Sequence, residues 1–191
     1  MIRLQRAITI FVVAMGLAQP CLANPIQISY LATDLPDSAP GEDLWEYRYV
    51  VSDFDFDADQ GFSIDFGHAL YSDLQDPPPP VNADWDPVSF QPDPGLTSAG
   101  LYDALALVSG ASLADPFVVS FTWLGGALQT PGSQPFTVNQ FDSTGSLTVL
   151  ETGTTVPFGQ PIPEPSSLVL VALGAAGVAR ARRRRLVRER P

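Results

Sequence analysis

The chain has 191 residues and carries 21 acidic against 10 basic side chains. Between Asn24 and Gln160 it has nineteen Asp and Glu but one basic residue, Arg48, so this body carries a formal charge of −18. Such a polyanion repels phosphate groups, which excludes nucleic acids and anionic lipid surfaces as natural partners. Cations, neutral polysaccharides and basic proteins are the partner classes that fit.

The N-terminal segment predicts a secretory signal peptide at residues 1–23. Two arginines precede an apolar run at 7–18, and small residues end at Ala23, so signal peptidase is expected to cut between Ala23 and Asn24. The only cysteine, Cys21, lies in this segment, which leaves the body without a disulfide or a thiolate metal site. The alternative is a lipoprotein signal acylated at Cys21, although Gln19 and Pro20 before the cysteine do not suit it.

The body reads as an all-β domain at residues 24–156. Short runs of aromatic and β-branched residues alternate with polar residues and are divided by Gly, Pro, Asp and Ser, which indicates antiparallel sheets. We expect a single β-sandwich with a jelly-roll or immunoglobulin-like arrangement. The predicted strands are 26–31, 44–51, 61–66, 117–123, a final hairpin of 136–141 and 146–150, and, as a weaker candidate, 85–90.

Two further segments are less regular. Residues 100–108 fit either a short helix or a strand, and Tyr102 with the flanking glycines favours the strand. Residues 75–99 are rich in proline and predict a long surface excursion, where binding sites are often found. The alternation weakens from Thr152, and we predict a linker at 157–162.

The acidic run at 53–59 is the clearest candidate for metal binding. Asp53, Asp55, Asp57 and Asp59 present carboxylates at alternate positions, which suits a hard cation such as Ca²⁺. The spacing does not fit an EF-hand, because Phe66 stands where that loop needs a bidentate glutamate. The alternative is a strand end with its phenylalanines inward and its aspartates in water.

Other residues give weaker signals. Trp85 stands among Asp and Pro, so an exposed ring that stacks on sugars is one hypothesis and a core position is the other. Trp45 and Trp123 lie in predicted strands and are expected in the core. His68 is the only histidine, and without a Gly-x-Ser-x-Gly segment it predicts a loop residue rather than a catalytic base.

The C-terminal segment combines a short motif, an apolar run and a basic cluster. Pro163, Glu164 and Pro165 precede the run at 166–179, which predicts one apolar helix of about 21 Å, shorter than a membrane core of about 30 Å. The cluster that follows orients the end of the chain to the cytoplasm and stops transfer. It comprises Arg180, Arg182, Arg183, Arg184 and Arg185.

This tail, at residues 163–191, resembles the PEP-CTERM sorting signal in the order and spacing of these parts. The resemblance implies recognition by an exosortase, an integral membrane cysteine transpeptidase that processes proteins near the motif. It also implies a Gram-negative bacterium that exports the protein, through an inner-membrane intermediate, to its surface or extracellular matrix. The tail would then be a transient membrane anchor.

We therefore expect a secreted, non-enzymatic structural or binding component associated with exopolysaccharide in a biofilm. One alternative is a small enzyme acting on polysaccharide, since paired carboxylates hydrolyse glycosidic bonds. The other is an envelope protein that keeps its tail as a permanent anchor.

Overall fold

The computed structural model describes residues 25–126 and 128–159, and every regular element there is a β-strand. The prediction of an all-β body is thereby confirmed. The ten strands are β1 (Gln27–Asp34), β2 (Leu44–Ser52), β3 (Gln60–Phe66), β4 (Tyr71–Ser72), β5 (Trp85–Phe90), β6 (Gly100–Ala106), β7 (Phe117–Trp123), β8 (Pro135–Phe141), β9 (Leu147–Thr154) and β10 (Val156–Pro157).

The strands form two five-stranded sheets. The first has the order β10-β1-β2-β7-β4 and the second β5-β6-β3-β8-β9. All pairings are antiparallel except the one between β1 and β10. The alternation read from the sequence gives most of the longer strands one apolar face, and the apolar faces of the two sheets pack together in a sandwich-like arrangement.

Aromatic rings fill one part of the space between the sheets. The Phe62 ring on β3 lies 4.9 Å from Phe117 on β7, across the two sheets. Trp85 on β5 belongs to the same cluster, because its ring centre lies 5.0 Å from that of Phe117 and 5.1 Å from that of Phe56. Edge-to-face contacts of this kind add to the burial of apolar area. The indole N–H of Trp85 donates to the Ser112 carbonyl at 2.9 Å, so its one polar group is satisfied.

All five tyrosines of the chain lie in the core. Most of their hydroxyls find partners there: Tyr47 donates to the Gly132 carbonyl at 2.7 Å, and Tyr49 donates to the side chain of Gln134. The hydroxyl of Tyr102 is buried without a hydrogen-bond partner among the described residues. Buried polar atoms usually have partners, so this group is a point of weakness in the core.

Two segments differ from their predicted form. The predicted excursion at 75–99 is interrupted by β5, which pairs with β6 along its whole length, so only the flanking parts are loops. This strand confirms the weaker candidate at 85–90. Pairing also continues beyond Thr152, because β9 runs to Thr154 and β10 then lies parallel to β1. The Phe158 N–H donates to the Tyr30 carbonyl at 2.8 Å and ends this pairing. The segment 100–108 is a strand, as predicted, over Gly100–Ala106.

Candidate functional site

A pocket opens at one end of the first sheet, where the loop between β1 and β2 meets the loop after β7. Its volume is about 860 Å³. The backbone holds the two loops together, since the Trp123 N–H donates to the Asp43 carbonyl at 2.8 Å. The lining includes two tryptophans, Trp45 and Trp123, and four carboxylates, Asp34, Asp37, Glu42 and Asp43. We call this the end pocket.

Both indole rings of the end pocket are fixed by hydrogen bonds. The N–H of Trp45 donates to the Asp43 carboxylate at 2.6 Å, and that of Trp123 donates to the Gln129 carbonyl at 3.1 Å. Trp45 is half-buried, whereas Trp123 is buried. A side chain at Gly125 would collide with the Trp123 ring, so glycine is required there. The pocket therefore presents a rigid aromatic wall beside acceptor oxygens.

Two carboxylates of the end pocket already accept hydrogen bonds from the loop that carries them. Asp37 accepts from the Leu44 N–H at 3.2 Å, and Glu42 accepts from the Ser38 hydroxyl at 2.6 Å. Within residues 25–126 and 128–159, no three His, Cys, Asp or Glu side chains converge in a way that could hold a metal ion. The arrangement can accept hydrogen bonds from a ligand while a ring stacks on tryptophan.

The structure corrects the prediction of a Ca²⁺ site at 53–59. Asp53, Asp55, Asp57 and Asp59 are all exposed on the connection between β2 and β3, and they do not converge. Phe56 is buried in the core between them. The run is therefore a strand connection with phenylalanine inward and aspartates in water, which is the alternative that the sequence offered.

Of the two hypotheses for Trp85, the core position is confirmed and the exposed, sugar-stacking position is wrong. Its side chain is 4% exposed and packs among Phe56, Phe62 and Phe117, so it cannot stack on a sugar. His68 lies in the turn after β3, as predicted for a loop residue. The sequence predicts a core position for Trp45, whereas the structure places it partly against the core and in the lining of the end pocket. The available signal was the concentration of acidic residues at 34–43, directly before that strand.

A second polar group lies on the outer face of the second sheet. The Asn139 amide donates to the Ser63 hydroxyl at 3.0 Å, and Ser63 donates to the Asp103 carboxylate at 2.6 Å. Burial raises the pKa of Asp103 above its ordinary value of 3.8, and the bond from Ser63 offsets this only in part. The group thus holds a carboxyl that binds its proton more tightly in the folded state than in the unfolded state.

Asp103→Asn is expected to raise the thermal unfolding midpoint at pH 7. Because the folded pKa of Asp103 is raised, the native state loses stability as pH rises from 3.8 through that pKa, and the amide removes this penalty. The difference in unfolding midpoint between the variant and wild type should shrink towards zero as the pH falls to 3.8. Unfolding midpoints measured from pH 3 to 8 check this.

Asp142→Asn is the matched control, and its expected effect on the thermal unfolding midpoint is the opposite. Three donors from Thr144 and Ser146 bind this exposed carboxylate and lower its pKa below 3.8. Its contribution to stability is therefore present above 3.8 and is lost as the pH falls through the lowered pKa. The variant should have a lower midpoint than wild type at pH 7. Midpoints that move in the same direction for both variants would contradict this account.

The comparisons with known proteins concern the C-terminal tail. A family model described as the PEP-CTERM protein-sorting motif matches residues 161–185. The chain carries a PEP-CTERM sorting motif. This confirms the resemblance, and the motif implies export, processing by exosortase and sorting to the surface of a Gram-negative bacterium. No curated protein and no solved structure matches the chain.

The residues of the PEP-CTERM motif lie outside the described residues. This applies to Pro163, Glu164 and Pro165, to the predicted apolar helix and to the arginine cluster, as well as to the predicted cleavage site at Ala23 and Asn24. Within the part of the chain that the structure describes, no helix is long and apolar enough to cross a membrane.

Proposed function

We propose that this PEP-CTERM protein is a non-enzymatic binding component of the extracellular matrix that holds exopolysaccharide in its end pocket. The sorting motif at 161–185 supports delivery to the surface. The single observation that carries the binding role is the pocket, with half-buried Trp45 beside carboxylates. A sugar ring offers an apolar face for the indole and hydroxyl donors for the carboxylates.

The charge of the body restricts the kind of polysaccharide. Four carboxylates line the pocket, and the body carries −18, so an anionic polymer is repelled. A neutral polymer, or one with amino groups, suits the site. An amino sugar would also place its cation near the face of Trp45, where attraction to the ring adds to binding.

Trp45→Ala is expected to weaken retention on the exopolysaccharide of the producing cells by about tenfold, which corresponds to ~1.4 kcal/mol. The reason is the loss of the stacking surface, while the carboxylates remain. Affinity electrophoresis of the exported protein in gels with the polymer measures it. Leu31→Ala, an exposed position on the outer face of β1, is the control and should bind as wild type does. Equal retention of wild type and Trp45→Ala would refute binding in the pocket.

The sorting step has its own test. Intact-mass measurement of the surface protein should show loss of the segments before Asn24 and after the region of Pro163. In cells without exosortase, or with all three motif residues replaced by alanine, the C-terminal segment should stay attached. An intact C-terminus in every strain would instead identify a permanently anchored envelope protein.

A further inference from the structure

Asp34 differs from the other three carboxylates of the end pocket in its place in the fold. Asp37, Glu42 and Asp43 belong to the loop between β1 and β2, and each accepts a hydrogen bond from a residue nearby in the chain. Asp34 is instead the last residue of β1 and is exposed, and among the described residues no hydrogen bond reaches its carboxylate. Its oxygens can therefore accept bonds from a ligand.

The register of the first sheet places Asp34 beside the indole of the pocket. Asp34 lies directly opposite Trp45 in the antiparallel pair of β1 and β2. Residues opposite each other project from the same face of a sheet, with their Cβ atoms about 4.5–5.5 Å apart. Successive side chains alternate between the faces, so this is the face that carries Tyr30 and Tyr47 into the core. A carboxylate and an indole thus stand side by side at the open end of that face.

The described part of the chain supplies no cation to this pair. Its one Lys or Arg side chain is Arg48, which stands three residues after Trp45 and so on the opposite face of β2. The Arg48 side chain is 51% exposed and lies 3.9 Å from Glu46 on that same face. None of the residues that line the pocket is basic. Four carboxylates in one pocket therefore favour a ligand that brings positive charge with it.

Given the proposed binding of exopolysaccharide in the end pocket, on which this assignment rests, we propose that Asp34 and Trp45 bind the protonated amino group of an amino sugar. An ammonium placed between them donates to the carboxylate and lies within about 6 Å of the ring centre, where the indole attracts it. Acetylation of the amine removes the positive charge, so an N-acetylated sugar keeps its stacking but loses both attractions. A polymer of N-acetylated units would need hydrolysis of the amide by water, with release of acetate, before the site binds it tightly.

Two oligosaccharides of equal length separate this assignment from general sugar binding. The exported, processed protein should bind a glucosamine hexamer about tenfold more tightly than an N-acetylglucosamine hexamer, because only the first brings ammonium groups. The difference should shrink as the ionic strength rises, since attraction between exposed charges is screened. Isothermal titration calorimetry at a pH that keeps the amines protonated measures both affinities.

Three variants assign the preference to individual side chains. Asp34→Asn should lower the affinity for the glucosamine hexamer about threefold and leave the affinity for the acetylated hexamer unchanged. Asp86→Asn is the matched control, because it removes the same charge from an exposed strand position outside the pocket, and it should change neither affinity. Trp45→Ala should weaken the binding of both hexamers, since both stack on the indole.

The outcomes separate this assignment from the proposed function. Equal binding of the two hexamers by wild type, with both weakened in Trp45→Ala, would overturn the assignment and leave polysaccharide binding in the pocket standing. Equal effects of Asp34→Asn and Asp86→Asn would also overturn it, because net charge alone would then explain the preference. So would a lysine pentamer that binds as tightly as the glucosamine hexamer, since the site would then select charge without a sugar. Retention on the native polymer that Trp45→Ala leaves unchanged would instead refute the proposed function itself.

Discussion

Replacing Trp85 with alanine is expected to lower the free energy of unfolding by about 3–5 kcal/mol. The indole is 4% exposed and contacts Phe56, Phe62 and Phe117 from both sheets, so its removal leaves a cavity between them. The Ser112 carbonyl also loses the closer of its two donors and keeps the Asn82 amide at 3.4 Å. Chemical denaturation of the exported protein, followed by far-UV circular dichroism, measures the change.

Phe90→Ala is the matched control for this loss. Phe90 ends the same strand but points away from the core and is 56% exposed. Its removal should change the free energy of unfolding by less than about 1 kcal/mol. A similar loss for both variants would show that β5 is not oriented as described. If Trp85→Ala kept its stability but lost polysaccharide binding, the glycan-stacking hypothesis would have to be restored.

Two Tyr→Phe substitutions in the core should have different effects on the free energy of unfolding. Tyr49 donates to Gln134, whose side chain is 1% exposed, so Tyr49→Phe leaves a buried acceptor without a donor and should cost about 1–3 kcal/mol. Tyr102 is equally buried, but its hydroxyl has no partner among the described residues. Tyr102→Phe should therefore leave stability unchanged or raise it by about 1 kcal/mol.

The two variants remove the same single oxygen, so the comparison isolates hydrogen bonding from packing. Thermal and denaturant unfolding at neutral pH measure both, since burial raises the pKa of each phenol and keeps it neutral. A loss of stability in Tyr102→Phe as large as that in Tyr49→Phe would mean that the Tyr102 hydroxyl has a partner, such as an internal water.

The sequence predicted most of the strands because their burial alternates with period two. In β2, β3 and β7 every aromatic residue falls on the face that packs in the core, although β2 also exposes Val50 on its other face. The two-residue strands β4 and β10 carry no such pattern, since their pairing is decided by neighbouring strands. The extension of β9 over residues 151–154 differs from the prediction for a related reason, because its sequence, Glu-Thr-Gly-Thr, has no large apolar residue to mark the half-buried face.

The sites were harder to predict than the strands. The end pocket depends on the meeting of loops that lie about eighty residues apart in sequence, which no local pattern encodes. Trp85 shows the converse problem: its acidic neighbours suggest exposure, but the register of β5 against β6 turns its ring inward opposite Ala106. The sorting motif was readable because all of its parts are consecutive in sequence.

The parallel pairing of β10 with β1 brings the end of the domain back to the first sheet. The chain crosses to it directly from β9 in the second sheet, so Val156 and Pro157 connect the two sheets. A turn at residues 158–159 follows, with Gly159 at a φ of +82°. Every described strand therefore lies before the sorting motif at 161–185, and a cut within that motif removes no strand from either sheet.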